Sequence, residues 1–110
     1  KHYETALAQV RRTDRQADEG VILNSLGVTL GRLGRHEDAC RVLDESVTLN
    51  EATGERLLLA HALAAMGDAC AAAGRAADAR RAYERAGAIR RELGDADAAD
   101  RLVRRVRECV

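Results

Sequence analysis

Apolar residues recur along this chain at intervals of three or four, the spacing of one face of an α-helix, over nearly its whole length. Proline is absent, and alternating runs of β-branched or aromatic residues, which would indicate strands, do not occur. Glycine ends the helical stretches instead, as at Gly34, Gly74 and Gly94, where a left-handed cap residue is expected. The pattern predicts an all-α protein of six helices, over residues 1–12, 17–33, 36–50, 55–73, 76–93 and 95–109.

The first two predicted helices are separated by the polar stretch 13–20, which is expected to contain a turn. The second of these helices presents an apolar face at helical spacing, and that face is expected to lie toward the core. Its residues are Ile22, Leu23, Leu26 and Leu30.

Two long segments, residues 23–55 and 63–95, repeat each other forty residues apart. A fixed period of this size is typical of stacked arrays, in which each unit buries its apolar face against the next. The chain is therefore expected to form one repeat domain. The identical residues are Leu23, Gly27, Gly34, Arg35, Asp38, Ala39, Arg41 and Gly54, which recur as Leu63, Gly67, Gly74, Arg75, Asp78, Ala79, Arg81 and Gly94.

Composition and charge exclude several classes of function. The 18 basic and 18 acidic residues give no net charge, so no overall field draws the chain toward nucleic acid or an anionic membrane. Tyr3 and Tyr83 are the only aromatic residues, which argues against a deep aromatic ligand pocket. No apolar stretch is long enough to span a bilayer. The cysteines are three, without a C-x-x-C pair, which argues against framework disulfides and favours the cytoplasm.

No constellation of residues predicts catalysis, a metal site or a cofactor. The histidines lie in different predicted helices without an evident partner, and no phosphate-binding or nucleophile motif occurs. The glycines mark caps and helix contacts. Cys70 falls on a core stripe and is expected to act as a small hydrophobe, the alternative being a reactive thiol, whereas Cys40 and Cys109 stay open. We therefore expect a protein that is not an enzyme.

The repeated pattern resembles the tetratricopeptide repeat, a pair of antiparallel helices that stacks into a right-handed superhelix. In that family, small residues let the paired helices approach closely, and a large residue fills the space toward the next unit. Gly27 and Gly67 match the small residue of the first helix, Ala39 and Ala79 the alanine of the second, Leu43 and Tyr83 the large residue, and Ser46 and Ala86 the last small residue.

The period of forty exceeds the usual period of this family by six residues and is similar to its long-repeat members. HEAT and armadillo arrays share the period but lack the spacing of small residues found here. The segments 23–27 and 88–95 resemble the C-terminal repeats of actinobacterial multidomain transcriptional regulators. The resemblance implies a second helix of a preceding repeat at 1–12, repeats at 17–54 and 55–94, and a capping helix at 95–110, since Arg107 stands where a standard repeat has a small residue.

The resemblance also implies a function in protein–protein interaction, through a concave groove lined by the first helix of each pair. The partner would be a protein or peptide segment, or a neighbouring domain of the parent regulator. Asn24 would bond the main chain of an extended peptide, the alternative being a surface amide without a ligand. Arg101 and Arg104 would meet acidic groups or simply form a charged cap. The implied groove residues are Asn24, Val28, Arg32, His61, Ala64, Asp68, Arg101 and Arg104.

A second hypothesis concerns self-association. The last predicted helix carries an apolar stripe that would pack against a second copy of the chain and form a homodimer. The residues of this stripe are Leu102, Val103, Val106 and Val110.

Overall fold

The computed structural model describes residues 2–109, apart from the side chains of most residues before Arg15. Within these residues the chain forms helices joined by short turns and no strand, which confirms the predicted all-α class. The helices are α1 (His2–Arg32), α2 (His36–Thr53), α3 (Arg56–Ala72), α4 (Ala76–Glu92) and α5 (Ala96–Glu108).

Consecutive helices pack as antiparallel pairs. Helices α1 and α2 form a first hairpin, α3 and α4 form a second hairpin, and α5 follows against α4. Helix α2 also packs on α3, and α1 reaches α3 directly, so the two hairpins stack on each other. The resulting body is elongated, with extents of 55 × 32 × 18 Å. This arrangement is the helical-hairpin stack that the repeated sequence predicts.

The same turn joins each helix to the next, because each turn uses a glycine in the left-handed region. Gly34, Gly74 and Gly94 have φ of +80°, and Gly54 has φ of +73°. In the first turn the N–H of Gly34 donates to the carbonyl of Gly31 and the N–H of Arg35 to that of Leu30, and the other turns repeat these two bonds. These bonds satisfy carbonyls left free at the helix ends, and left-handed backbone is costly for residues with a Cβ.

Two glycines inside helices allow the paired helices to approach closely. A Cβ on Gly67 would lie 2.5 Å from a carbon of the Tyr83 ring, and a Cβ on Gly27 would overlap the side chain of Leu43. Both large residues are almost fully buried. The small and large residues of the repeated pattern therefore meet across the helix pair in both hairpins, as the resemblance implied.

The predicted break between residues 13 and 20 is wrong, because α1 continues through it from His2 to Arg32. The segment is rich in helix-forming residues and contains no proline, so polarity alone does not end the helix. Gly20 is a helical contact rather than a turn: it is buried, its carbonyl accepts the hydroxyl of Ser46, and a Cβ there would lie 2.6 Å from Oδ1 of Asn50. The separate helices expected at 1–12 and 17–33 are one helix.

The predicted core face of α1 is also partly wrong. Ile22 is 65% exposed and Leu26 is 45% exposed. Forty residues later, Ala62 is fully buried and Met66 is half-buried, because α2 packs against α3. In the described part of the chain no helix occupies the corresponding place on α1.

The core-facing prediction for α4 is confirmed at all five positions. They are Ala79, Ala82, Tyr83, Ala86 and Ile89.

The repeated arginine and aspartate residues form the same ion cluster at the start of α2 and of α4. Asp38 accepts from Arg35 at 2.6 Å and from Arg41 at 2.8 Å. The hydrogen bond and positive charge of Arg35 lower the pKa of Asp38. Asp78 accepts from Arg75 and Arg81 in the same way. Exposed pairs of this kind add little stability, so the cluster contributes little to the free energy of folding of either hairpin.

Candidate partner-binding grooves

The first helices, α1, α3 and α5, line one side of the stack, and a cavity lies between each successive pair of them. The cavity between α1 and α3 has a volume of about 320 Å³ and is lined by Val28, Arg32 and Asp68, among others. Gly27 and Gly31 contribute to its wall because they have no side chain to fill it. Three residues predicted for the groove therefore lie around one concave space.

The second cavity lies between α3 and α5 and has a volume of about 230 Å³. Its lining includes Ala64, Asp68 and Arg101, which are also predicted groove residues. Asp68 lines both cavities, so the two spaces adjoin on the same side of α3. Five of the eight predicted residues are brought together along this side.

Asp68 is held in place by two donors that the sequence did not indicate. The hydroxyl of Tyr83 donates to Oδ1 of Asp68 at 2.5 Å, and Nη1 of Arg105 donates to the same oxygen at 2.8 Å. The guanidinium of Arg105 also lies 6.0 Å from the centre of the Tyr83 ring. Burial and the bond to Asp68 raise the pKa of Tyr83, so its hydroxyl stays protonated. Arg105 stands four residues after Arg101 and therefore lies on the same face of α5, and this spacing is the sequence signal that indicates it as a groove residue.

The other three predicted residues lie away from these two cavities. His61 is exposed, and its Nδ1 accepts from Nη2 of Arg90 at 3.3 Å. Partial burial and the charge of Arg90 lower the pKa of His61. Asn24 is half-buried, and its Oδ1 is buried without a hydrogen-bond partner among the described residues. Arg104 is exposed.

The apolar stripe of the last helix is largely covered by the chain's own core. Leu102 and Val106 are half-buried and pack against the buried residues of α3 and α4. Val103 is 36% exposed. Val110 lies outside the described residues. The described part of the stripe therefore has one exposed residue.

A third cavity in the described part of the chain has a volume of about 620 Å³ and lies on the side of the second helices, between α2 and α4. Its rim is formed by charged residues of both helices, including Arg41, Arg75 and Asp78. Two cysteines, Cys40 and Cys70, belong to its lining. No pattern in the sequence indicates this space, because it arises from the gap that stacking leaves between two second helices.

Comparison with known proteins identifies the family. The profile of the tetratricopeptide repeat matches residues 18–92, which is more than half of the chain, and the chain belongs to this family. Proteins of the family provide modules for protein–protein interaction and are typically non-catalytic. Comparisons with curated proteins and with solved structures find no match.

Two further findings concern the described residues. In that part of the chain, histidine, cysteine, aspartate and glutamate side chains form no group of three or more that is suited to hold a metal ion. None of the helices α1 to α5, as described, has the length and apolar character needed to cross a membrane.

Proposed function

We propose that this chain is a non-catalytic interaction module that binds an extended peptide or protein segment in the groove formed by α1, α3 and α5. The observation that carries the proposal is the pair of adjoining cavities that share Asp68. A preformed, continuous concave surface loses little entropy when a ligand docks on it. Membership of a family of interaction modules agrees with this function.

The charges around the groove favour an acidic partner. Arg32 lines the first cavity and Arg101 lines the second, and both are exposed. Neither forms an ion pair with another residue of the described chain, whereas Asp68 between them is neutralised by Arg105. A guanidinium binds a carboxylate through two parallel hydrogen bonds. The partner would therefore place carboxylates near both ends of the groove.

We propose the following setting for this module. It is the regulatory or sensor arm of a larger bacterial, cytoplasmic regulator of the actinobacterial type, built from long repeats at 17–54 and 55–94 and a cap at 95–110. Partner binding would then change how the arm packs on neighbouring domains of the same protein. The sequence of the parent protein on both sides of this chain tests that setting: a DNA-binding or nucleotide-binding neighbour supports it, and a membrane or secretion context contradicts it.

Asn24, His61 and Arg104 would have a lesser part in this function. Their side chains do not line the two cavities, so the proposed contacts rest on the other five groove residues. The alternative function, a homodimer through α5, has weaker support, because Leu102 and Val106 already pack within the chain.

Selection from a display library of random 12-residue peptides tests the proposal. We expect the selected peptides to be rich in aspartate and glutamate, and the double variant Arg32→Ala/Arg101→Ala to bind them at least tenfold more weakly. The matched control is Arg80→Ala/Arg12→Ala, which removes two exposed arginines outside the groove. Selection of neutral or basic peptides, or equal binding by both double variants with unchanged helix content, contradicts the proposal.

A further inference from the structure

Two thiols from different hairpins lie side by side in the interior. Sγ of Cys40 in α2 and Sγ of Cys70 in α3 are 3.4 Å apart, close enough for one thiol to donate to the other. The residues are 5% and 3% exposed. They are thirty residues apart in sequence and lie on helices that pack face to face where the hairpins stack.

The repeat itself does not require this pairing. Forty residues before Cys70 the first hairpin has Leu30, and forty residues after Cys40 the second hairpin has Arg80. Each cysteine therefore stands alone at its repeat position, and the contact exists only where the two hairpins meet. Because Leu30 occupies the position equivalent to Cys70 in the first hairpin, core packing alone does not require a thiol at that position.

We propose that Cys40 and Cys70 are an oxidative modification site, which forms a reversible disulfide when the protein meets hydrogen peroxide. The bond would join the second helix of the first hairpin to the first helix of the second hairpin. A disulfide bond is about 2.05 Å long, so the two sulfur atoms must approach by roughly 1.3 Å.

The cavity between α2 and α4 provides access for the oxidant. Both cysteines line it, and its rim consists of exposed side chains such as Arg41 and Arg85. Its volume of about 620 Å³ admits a molecule as small as hydrogen peroxide. A folded protein with a reactive thiol is too large to enter it, so peroxide is the class of oxidant that suits this site.

One thiol of the pair attacks the oxidant and the other completes the disulfide. Burial and the contact with Cys40 raise the pKa of Cys70 to about 12. One of the two sulfur atoms, as the thiolate, attacks one peroxide oxygen, the O–O bond breaks, and the departing hydroxide takes up a proton to become water. The other sulfur then attacks the sulfenic acid, the S–O bond breaks, and the thiol proton leaves with the hydroxide as a second water. The two thiols lose two electrons, which reduce the peroxide.

Counting thiols on the complete 110-residue chain tests the proposal. The reduced protein is treated with hydrogen peroxide, unfolded, alkylated and analysed by mass spectrometry. We expect the number of alkylated cysteines to fall from three to one, the remaining one being Cys109. A proteolytic peptide pair should contain Cys40 linked to Cys70, and a thiol reductant should restore all three. Three alkylated cysteines after oxidation, or conversion of Cys40 to sulfinic acid without a link, overturns the proposal.

Variants separate this pair from the third cysteine. Cys109→Ser should form the same link, and Cys40→Ala or Cys70→Ala should abolish it. The oxidised wild type should also unfold at a temperature several degrees higher than the reduced form, because the bond closes a loop of thirty residues. If an alanine variant does not fold, the thiol count on the wild-type chain decides the question by itself. Oxidation that yields only Cys109-linked dimers contradicts the proposal.

Discussion

The two hairpins share one plan but hold their helices together by different chemistry. In the first hairpin, the buried hydroxyl of Ser46 donates to the carbonyl of Gly20 and accepts from the amide of Asn50. At the equivalent place in the second hairpin, Ala60 and Ala86 are buried and need no polar partner. At this place the first interface is therefore polar and tied to specific hydrogen bonds, whereas the second packs small side chains together.

The close contact at the helical glycine also differs between the hairpins. Gly27 faces the flexible side chain of Leu43, whereas Gly67 faces the rigid ring of Tyr83, whose hydroxyl is bonded to Asp68. An aliphatic side chain can change rotamer when it is crowded, but a ring held at its far end cannot. The second hairpin should therefore tolerate a change at its glycine less well.

Alanine substitution at the helical glycines gives the largest expected effect. Gly67→Ala places a Cβ against the Tyr83 ring and should lower the free energy of unfolding by about 2–3 kcal/mol. Gly27→Ala should lower it by about 1–2 kcal/mol, because Leu43 can move. Urea unfolding followed by circular dichroism measures both values.

Gly31 supplies the matched control for these substitutions. It lies in α1, one turn after Gly27, and a Cβ there would meet nothing within 4 Å. Gly31→Ala should raise stability by about 0.5–1 kcal/mol, since alanine favours the helix. If Gly67→Ala were as harmless as Gly31→Ala, the close approach of α3 and α4 would be refuted.

Removal of the buried hydroxyl in the first hairpin gives the next largest effect. Ser46→Ala should cost about 1–2 kcal/mol, because the buried amide of Asn50 loses its acceptor. The double variant Ser46→Ala/Asn50→Ala should cost less than the sum of the single changes, since it no longer contains the Asn50 amide that Ser46→Ala leaves without its acceptor. Thermal and urea unfolding of the four proteins completes a double-mutant cycle.

The control for that cycle is Thr48→Ala on the exposed side of the same helix. Its hydroxyl bonds the carbonyl of Asp44 in contact with solvent, so its loss should change stability by less than about 0.5 kcal/mol. Equal costs for Thr48→Ala and Ser46→Ala, or strict additivity in the cycle, would count against a polar interface.

The helices of this protein could be predicted from its sequence, but one boundary could not. Glycines at left-handed positions and the absence of proline correctly give the ends of α2, α3 and α4 within a few residues. The polarity of residues 13–20 predicts a turn that includes Gly20, although its equivalent forty residues later, Ala60, lies inside a helix. The repeat thus contained the evidence against the turn. Gly20 is instead explained by the tertiary contact with Asn50.

The groove could be predicted only in part. The resemblance to the tetratricopeptide repeat implies Val28, Ala64 and Asp68 as groove residues, and all three line the cavities on that side of the stack. Arg105 and Asp68 are thirty-seven residues apart in sequence and lie on different helices. Their hydrogen bond depends on the rotation of α5 about its axis, and no local sequence pattern determines that rotation. The same holds for the contact of Cys40 with Cys70. Helical periodicity identifies the face of a helix on which a residue lies, whereas specific side-chain contacts between helices depend on how the helices pack.

Alanine substitution at the turn glycines should cost the same stability in both hairpins, unlike substitution at the helical glycines. Gly34 and Gly74 share a φ of +80°, and a Cβ on either would meet nothing within 4 Å. Gly34→Ala and Gly74→Ala should each cost about 1 kcal/mol, because only the left-handed backbone is penalised. Urea unfolding measures the stability loss of each variant. A difference of more than about 0.5 kcal/mol between the two losses would show that the two turns are not equivalent.

The smallest expected effect concerns pH and arises from the second hairpin alone. His61 occupies the position at which the first hairpin has Val21, which does not titrate. Because the pKa of His61 is lowered in the folded protein, the unfolded chain binds the proton more readily. Its contribution to stability is therefore complete above the ordinary histidine pKa and is lost as the pH falls through that value to the folded pKa. The size is small, since the side chain is exposed.

His61→Gln isolates this contribution. As the pH is lowered from about 7 to about 5, the wild type should lose some stability through His61. The variant should lack this loss and keep any loss that arises from other groups. The carboxylate of Asp38, whose pKa is also lowered, acts in a separate and more acidic range, so it does not obscure the comparison. Thermal unfolding at closely spaced pH values measures both profiles. Superimposable profiles would show that Arg90 and partial burial do not disfavour the charged imidazole, and the two hairpins would then share one pH response.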